Sequence, residues 1–372
     1  MSAAHRRLLL AALCACCVAV VSACGGSAPS QTPAVPDDFL GLTSSGIVGV
    51  PAQAEKTLLR VQRHSGVELQ RQTFSWWTIE PHPGVYHWAL YDRYMTLAAH
   101  AGMRVLAVLA EAPVWAAVAA PRGSHLPAST QFPPRSMAQF AQFAAAVVRR
   151  YGPHGTFWRA HPHLPALPIH SWQVWNEPNF KIYWGYRPNA AAYAAMLRAS
   201  YTAIRAVEPH AEVVTAGIAE GDFGISFSRY LAELLAADPP FNTLAINPYA
   251  PNTAGLVSTV EAVRRTLNSD GHPSTPIWLT EFGWASGGPP SPFTVGTKRQ
   301  ALYVLQTIVT LAEDASQLNI RGLVYYDWQD GVPYAGRSNF WGFHTGLVAL
   351  DGTEKPALSA YYEAAGVVHT LP

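Results

Sequence analysis

Two short segments combine residue types that can do acid–base and covalent chemistry. Trp175, Asn176, Glu177 and Pro178 end one apolar run, and Thr280, Glu281, Phe282, Gly283 and Trp284 end another. Each places a carboxylate where a buried-looking strand gives way to a turn rich in Gly, Pro or aromatic residues, the position at which a β/α barrel presents its reactive groups. The chemistry open to two such carboxylates is glycoside hydrolysis. In its retaining form they stand about 5–5.5 Å apart, one ionised to attack and one protonated to help the leaving group depart. Unequal surroundings set the two roles. A lone Asn-Glu-Pro triplet arises often by chance, so the weight rests on the two segments occurring together at a spacing a barrel can use.

The elements that would position them follow from the hydrophobic pattern. From Phe39 onward short apolar runs alternate with longer amphipathic ones, the signature of repeated βα units around a parallel sheet. Strands are expected at Phe39 to Leu42, Val67 to Phe74, Arg104 to Leu109, Ser171 to Trp175, Glu212 to Ala216, Thr243 to Asn247, Pro276 to Thr280 and Gly322 to Tyr326. Most are near-continuous apolar runs, as strands covered on both faces should be. Helices are expected near Gln53 to His64, Tyr91 to His100, Ser136 to Tyr151, Ala190 to Val207, Ser226 to Ala236, Thr259 to Asn268, Lys298 to Glu313 and Ala357 to Ala365. The third is the clearest: Ser136 and Gln139 form a capping box, Phe140, Phe143, Val147, Val148 and Tyr151 share one face, and Gly152 stops it. No Gly-rich phosphate loop follows any strand, which weighs against an open, doubly wound sheet. The expected fold is therefore α/β, a single-domain (β/α)8 TIM barrel over residues 39–372. Glu177 and Glu281 stand roughly 100 residues apart, which fits strands four and seven separated by three βα units of ~30 residues or slightly more. Those strands lie on facing parts of an eight-stranded ring.

This arrangement resembles the clan A superfamily of retaining glycoside hydrolases built on β/α barrels, which carries an Asn-Glu pair at the end of strand four and a nucleophilic Glu at strand seven. The resemblance covers nearly all of Phe39 to Val367. It implies Glu177 as acid/base, Glu281 as nucleophile, and Asn176 as a ligand of the hydroxyl beside the reacting carbon. Arg71, Trp76, Ile79, Glu80, Pro81, Gly84, Tyr86, Trp88 and Asp92 resemble a second-strand pattern in which the arginine supports the nucleophile. Tyr249 sits where the clan has a tyrosine bonded to the nucleophile, a bond that favours the ionised form. Trp328 sits where an aromatic ring floors the sugar site, and aromatic faces suit the C–H faces of sugars. Many relatives have histidine where Asn247 stands, so the sugar contacts near that position differ. The second-strand segment and Gly346, Leu347, Asp351, Gly352, Lys355, Pro356 look most like family 39 and family 5 members.

The 372 residues are 49% hydrophobic, enough for one large core, and a formal charge of +1 from 25 basic and 24 acidic residues provides no polycationic surface for nucleic acid. A carbohydrate is the expected partner, the protein is expected to be a monomer, and no cofactor or metal is expected. Arg6 and Arg7 precede the apolar run Leu8 to Val21, too short at ~14 residues to span a bilayer, where about 20 are needed. Residues 1–23 read as a signal peptide. Val21, Ser22, Ala23 and Cys24 resemble a bacterial lipoprotein cleavage site, with Cys24 the lipidated terminus and 24–38 a Gly, Ser and Pro-rich tether. Membrane contact would then come only through that anchor, at the outer face of the bacterial cell membrane. An ordinary signal peptide would instead leave the protein secreted. All four cysteines fall in this segment, so the mature domain has neither disulfide nor thiolate.

The remaining residues divide between structural and functional readings. Glu80, in a Pro-rich turn, reads as a loop-fixing residue, and Glu111, after strand three, is the rival carboxylate nearest to a substrate-contacting role. Trp115, Trp184, Trp284 and Trp341 follow strands and could line subsites or pack, with Trp284 taken as a substrate contact. His154, His161, His163 and His170 crowd a Pro-rich stretch without zinc-helix spacing and read as structural. That stretch, Gly152 to Ile169, reads as an insertion that could wall one side of the cleft. Two alternatives to hydrolysis stay open: a non-catalytic carbohydrate-binding envelope lipoprotein, and a transglycosylase using the same residues.

Overall fold

The computed structural model describes residues 35–119, 131–185, 187–333 and 338–371. The expected signal peptide, Cys24 and the tether up to residue 34 lie outside them. Nine parallel strands form one sheet among the described residues: β1 (Leu40–Thr43), β2 (Leu69–Ser75), β3 (Arg104–Ala110), β4 (Ser171–Val174), β5 (Glu212–Val214), β6 (Ile218–Ala219), β7 (Leu244–Asn247), β8 (Ile277–Phe282) and β9 (Ile320–Tyr325). Their order is β5-β4-β3-β2-β1-β9-β8-β7-β6, and a parallel bridge from Val214 to Thr243 brings the two ends together. A helix follows each barrel position, Ala52–His64 being the first and Pro356–Val368 the last. This is the (β/α)8 barrel expected from the alternation of apolar runs.

One position departs from expectation. The run Glu212 to Ala216 does not form a single strand: β5 pairs with β4, the chain steps aside over Thr215 to Gly217, and β6 pairs with β7. The step is forced from inside the barrel. A side chain on Gly217 would lie 2.2 Å from Asn247 Oδ1 and 2.7 Å from Thr280 Oγ1, so only glycine lets the backbone pass these two groups. The helix expected from Thr259 begins earlier, at Thr253, because the Asn252 side chain accepts from the Gly255 amide at 2.9 Å and caps it.

Two apolar layers hold the fold. Strand faces turned to the helices join one large core, while Leu69, Leu106, Val214, Ala245, Trp278 and Val324 form a separate cluster that fills the lumen. Burying each such aliphatic side chain contributes roughly 1.5–3 kcal/mol. At the N-terminal end of the barrel, Arg321 on β9 lies over the Trp278 ring at 4.5 Å and bonds both oxygens of Asp38 at 2.8 and 2.9 Å. Nearer the C-terminal end the lumen turns polar, with Gln173, Thr215, Asn247 and Thr280 all fully buried.

The stretch Gly152 to Ile169 is placed differently from expectation. It joins the helix Met137–Tyr151 to the start of β4, so it belongs to the N-terminal face, away from the strand ends that carry Glu177 and Glu281. Phe157 and Trp158, on its short helix Thr156–Ala160, are buried, and the Trp158 indole donates to the Tyr151 carbonyl at 2.9 Å. Apolar packing explains why this stretch folds back under the barrel and does not wall a cleft.

Candidate active site

Glu177 and Glu281 both stand at the C-terminal ends of strands, after β4 and within β8, and both are largely buried. Trp175 and Glu177 have positive φ values of 74° and 41°, a conformation costly for side chains of this size, so the turn that presents Asn176 and Glu177 is held by its surroundings. The Trp175 amide is fixed to the Leu109 carbonyl at 2.9 Å and its indole to the Tyr183 carbonyl at 2.8 Å.

Glu281 receives a donor on each oxygen. Arg71 Nη1 gives a 2.7 Å bond to Oε1, and Tyr249 Oη gives a 3.0 Å bond to Oε2. Burial first, and then the charges of Glu281 and Glu177, push the Tyr249 phenol well above its ordinary range. Tyr249 therefore stays a donor. The remaining guanidinium nitrogens of Arg71 are also engaged: Nη2 donates to Asn176 Oδ1 at 2.8 Å and Nε to Gln173 Oε1 at 2.7 Å.

From Gln173 the bonds continue in one direction. Its Nε2 donates to Thr280 Oγ1 at 3.3 Å, Thr280 donates to Asn247 Oδ1 at 2.8 Å, and Asn247 Nδ2 donates to Glu177 Oε1 at 2.9 Å. The two carboxylates are thus the ends of one buried chain that starts at a permanent cation and crosses the barrel. Buried polar groups that are each satisfied rigidify a site and define one geometry.

A cavity of 210 Å³ opens onto Glu281, Arg71, Asn176, Tyr183, Tyr326 and Glu111. A second recess of 330 Å³ shares Thr43, Ser45, Arg71, Thr73 and Glu111 with it. A larger groove, 450 Å³, lies on the outer shell between the first and last helices and touches neither glutamate.

The comparisons with known proteins agree with this architecture. A β-galactosidase family model, glycoside hydrolase family 42, matches residues 50–212. Solved structures match over most of the chain. A family 39 glycoside hydrolase from Bacteroides cellulosilyticus WH2 superposes with a TM-score of 0.64 at 18% identity, covering 90% of this chain and 64% of that one. A monomeric β-xylosidase from Caulobacter crescentus CB15 gives 0.65 at 18%, with coverage of 89% and 68%. An endo-β-1,4-mannanase from Thermotoga petrophila gives 0.58 at 13%, with coverage of 90% and 77%. No curated protein matches. The chain is similar in fold to these glycoside hydrolase barrels, and its family match falls in the same clan, clan A. It spans about two thirds of the length of the Bacteroides enzyme.

Within this barrel, the residues singled out from sequence fall into two groups. Arg71, Asn176, Glu177, Tyr249 and Glu281 converge on one mouth through the bonds above. Trp284 does not join them. It is fully buried, donates its indole N–H to the Ala250 carbonyl at 2.8 Å and packs edge-on against Tyr303 and Phe282, so it is a core residue and not a substrate contact. Trp328, 4% exposed, follows the cis peptide Tyr326–Asp327, and its amide bonds the Thr43 carbonyl at 3.0 Å. Glu80 accepts from the Trp76 indole and the Gly84 amide, both at 2.7 Å, which pins its turn. Trp341 lies closer to the site than Trp284 does: it is half-buried and meets the Tyr249 ring edge-on at 5.0 Å and Phe293 at 4.6 Å.

Sequence reasoning did not find Gln173 and Thr280, which carry the chain of bonds between the glutamates. The available signal was a polar residue inside an otherwise apolar strand, where only a hydrogen-bonded partner makes burial tolerable.

Proposed function

We propose that the chain is a retaining glycosidase in which Glu281 is the nucleophile and Glu177 the acid/base. The observation that carries this reading is the unequal surroundings of the two carboxylates. Glu281 faces a guanidinium and a phenol on separate oxygens, which offset a negative charge. The partner that Asn247 gives Glu177 is a neutral amide, which serves a protonated carboxyl as well as an ionised one. Glu281 attacks the anomeric carbon while the bond to the leaving oxygen breaks and Glu177 gives that oxygen its proton. Water then gives a proton to Glu177 and attacks the same carbon, freeing Glu281. Two inversions return the original configuration.

Glu177→Gln and Glu281→Gln should each lower turnover of an activated aryl glycoside by several orders of magnitude. Aryl β-xylosides and β-galactosides are the first to try, given the neighbouring xylosidase and the family match. Near-wild-type turnover by either variant would sink the reading. With Glu281→Gly, added azide should restore turnover and give a glycosyl azide of inverted configuration.

The same reading places the protein outside the bacterial cell, carried there by the segment around Arg6 and Arg7 and anchored through Cys24. Labelled palmitate should enter the wild type and be lost in Cys24→Ser. A carbohydrate is its partner, and it acts as a monomer, as the neighbouring β-xylosidase does.

A further inference from the structure

Among the described residues that line the two recesses, Glu111 is the one carboxylate that the chemistry above does not use. It follows β3 with a φ of 64°, a left-handed conformation that glutamate seldom adopts. The conformation is held in place by the Trp77 amide, which bonds the Glu111 carbonyl at 3.0 Å. Glu111 lines both recesses, the one over Glu281 and the one beside it. It is half-buried, and no described side chain or amide hydrogen-bonds its carboxylate. Strained backbone retained beside a carboxylate at a cleft is the pattern of a ligand-facing residue.

The rest of the lining decides what that ligand is. Ser45 and Thr73 bring hydroxyl-bearing residues to the walls. Among the lining residues of both recesses Arg71 is the sole cation, and its charge is already matched by Glu281. Among the described lining residues no cation is left to neutralise an incoming carboxylate, which would instead meet Glu281 and Glu111 in a partly desolvated space. A carboxylate is, however, a strong acceptor for sugar hydroxyls.

We propose that Glu111 is a specificity-determining residue: it accepts hydrogen bonds from hydroxyls of a neutral glycosyl unit held over Glu281, and it turns away sugars that carry a carboxylate there. This rests on the glycosidase reading above and adds the class of sugar.

The test compares wild type, Glu111→Ala, Glu111→Gln and Glu111→Gly on aryl glycosides of neutral sugars and on the matching uronides. Glu111→Ala should lose about 10- to 100-fold in kcat/KM on the neutral glycoside, mainly through KM, as befits a hydrogen bond to a charged group. Glu111→Gln should raise the uronide-to-neutral ratio of kcat/KM about tenfold. Glu111→Gly, which relieves the positive φ, should keep or raise Tm while losing activity. If Glu111 merely supports the loop, Glu111→Gly lowers Tm and the ratio stays fixed, which overturns the proposal. Wild-type turnover of uronides as fast as of neutral sugars overturns it as well. A wild type inactive on the whole panel overturns the glycosidase reading, and this inference with it. Activity on neutral sugars with no effect at Glu111 overturns this inference alone.

Discussion

At the scale of single residues, the site depends on groups whose partners are distant in sequence. Tyr249 and Glu281 touch across 32 positions, Gln173 and Thr280 across 107. Tyr249→Phe keeps the ring and removes one donor from a buried carboxylate. It should lower kcat/KM by about 10- to 100-fold, from the ~1.5–3 kcal/mol of such a bond, with the far-UV circular dichroism unchanged. Asp327 gives a pH test. Burial drives its carboxyl up to about 7, against the pull of the Ser45 and Trp328 amides, and the charge of Glu281 adds to the rise. A carboxyl raised above its unfolded value of 3.8 stabilises the fold in its protonated form, fully so below that value, and this contribution is lost as pH climbs toward 7. Asp327→Asn removes the titration, so its Tm relative to wild type should improve between about pH 5 and about pH 8. A constant difference across that range would refute the assignment. The positions of Glu177 and Glu281 were legible because each stands where an apolar run ends, whereas Arg71, inside β2, and Asn176 and Tyr249 were expected from the family resemblance. Gln173 and Thr280 were not legible, because a polar residue inside an apolar strand signals a buried partner without naming which one.

At the scale of elements, each strand expected from the apolar runs forms within a few residues, except at the fifth position. There the run of Val and Thr residues favours a continuous strand, but the space taken by Asn247 and Thr280 overrides that local preference. Gly217→Ala tests this directly. The added methyl must displace Asn247 or Thr280, which should destabilise the fold by roughly 1–3 kcal/mol and, unlike ordinary overpacking, lower kcat as well. Thermal melts and steady-state kinetics on one preparation would expose a strand that tolerates the methyl. The misplaced stretch Gly152 to Ile169 has a similar lesson. Prolines and histidines read as loop, but Phe157 and Trp158 were the residues that decided where it lies. Trp284 likewise reads as a rim aromatic until the Ala250 carbonyl and Tyr303 are known to enclose it.

At the scale of the whole molecule, the barrel separates its stabilising contacts from its reactive ones. Arg321, together with Asp38 and Glu212, ties β9, the approach to β1 and β5 at the N-terminal end. Burial alone would raise the Asp38 carboxyl, but Arg321 holds it below its ordinary value. Arg321→Leu, which keeps some packing on Trp278, should therefore lower Tm by several degrees and leave kcat and KM unchanged. A change in KM would show that the two ends of the barrel are coupled. The site end has a different vulnerability, which is time. The last donor of its bond chain, before Glu177, is the Asn247 amide, and asparagine side chains in long-lived proteins are lost when the following backbone nitrogen attacks them. In this chain the residue after Asn247 is Pro248, whose nitrogen carries no hydrogen. That route of chemical ageing is closed at the residue that bonds Glu177, so this link of the chain does not decay by loss of the Asn247 amide.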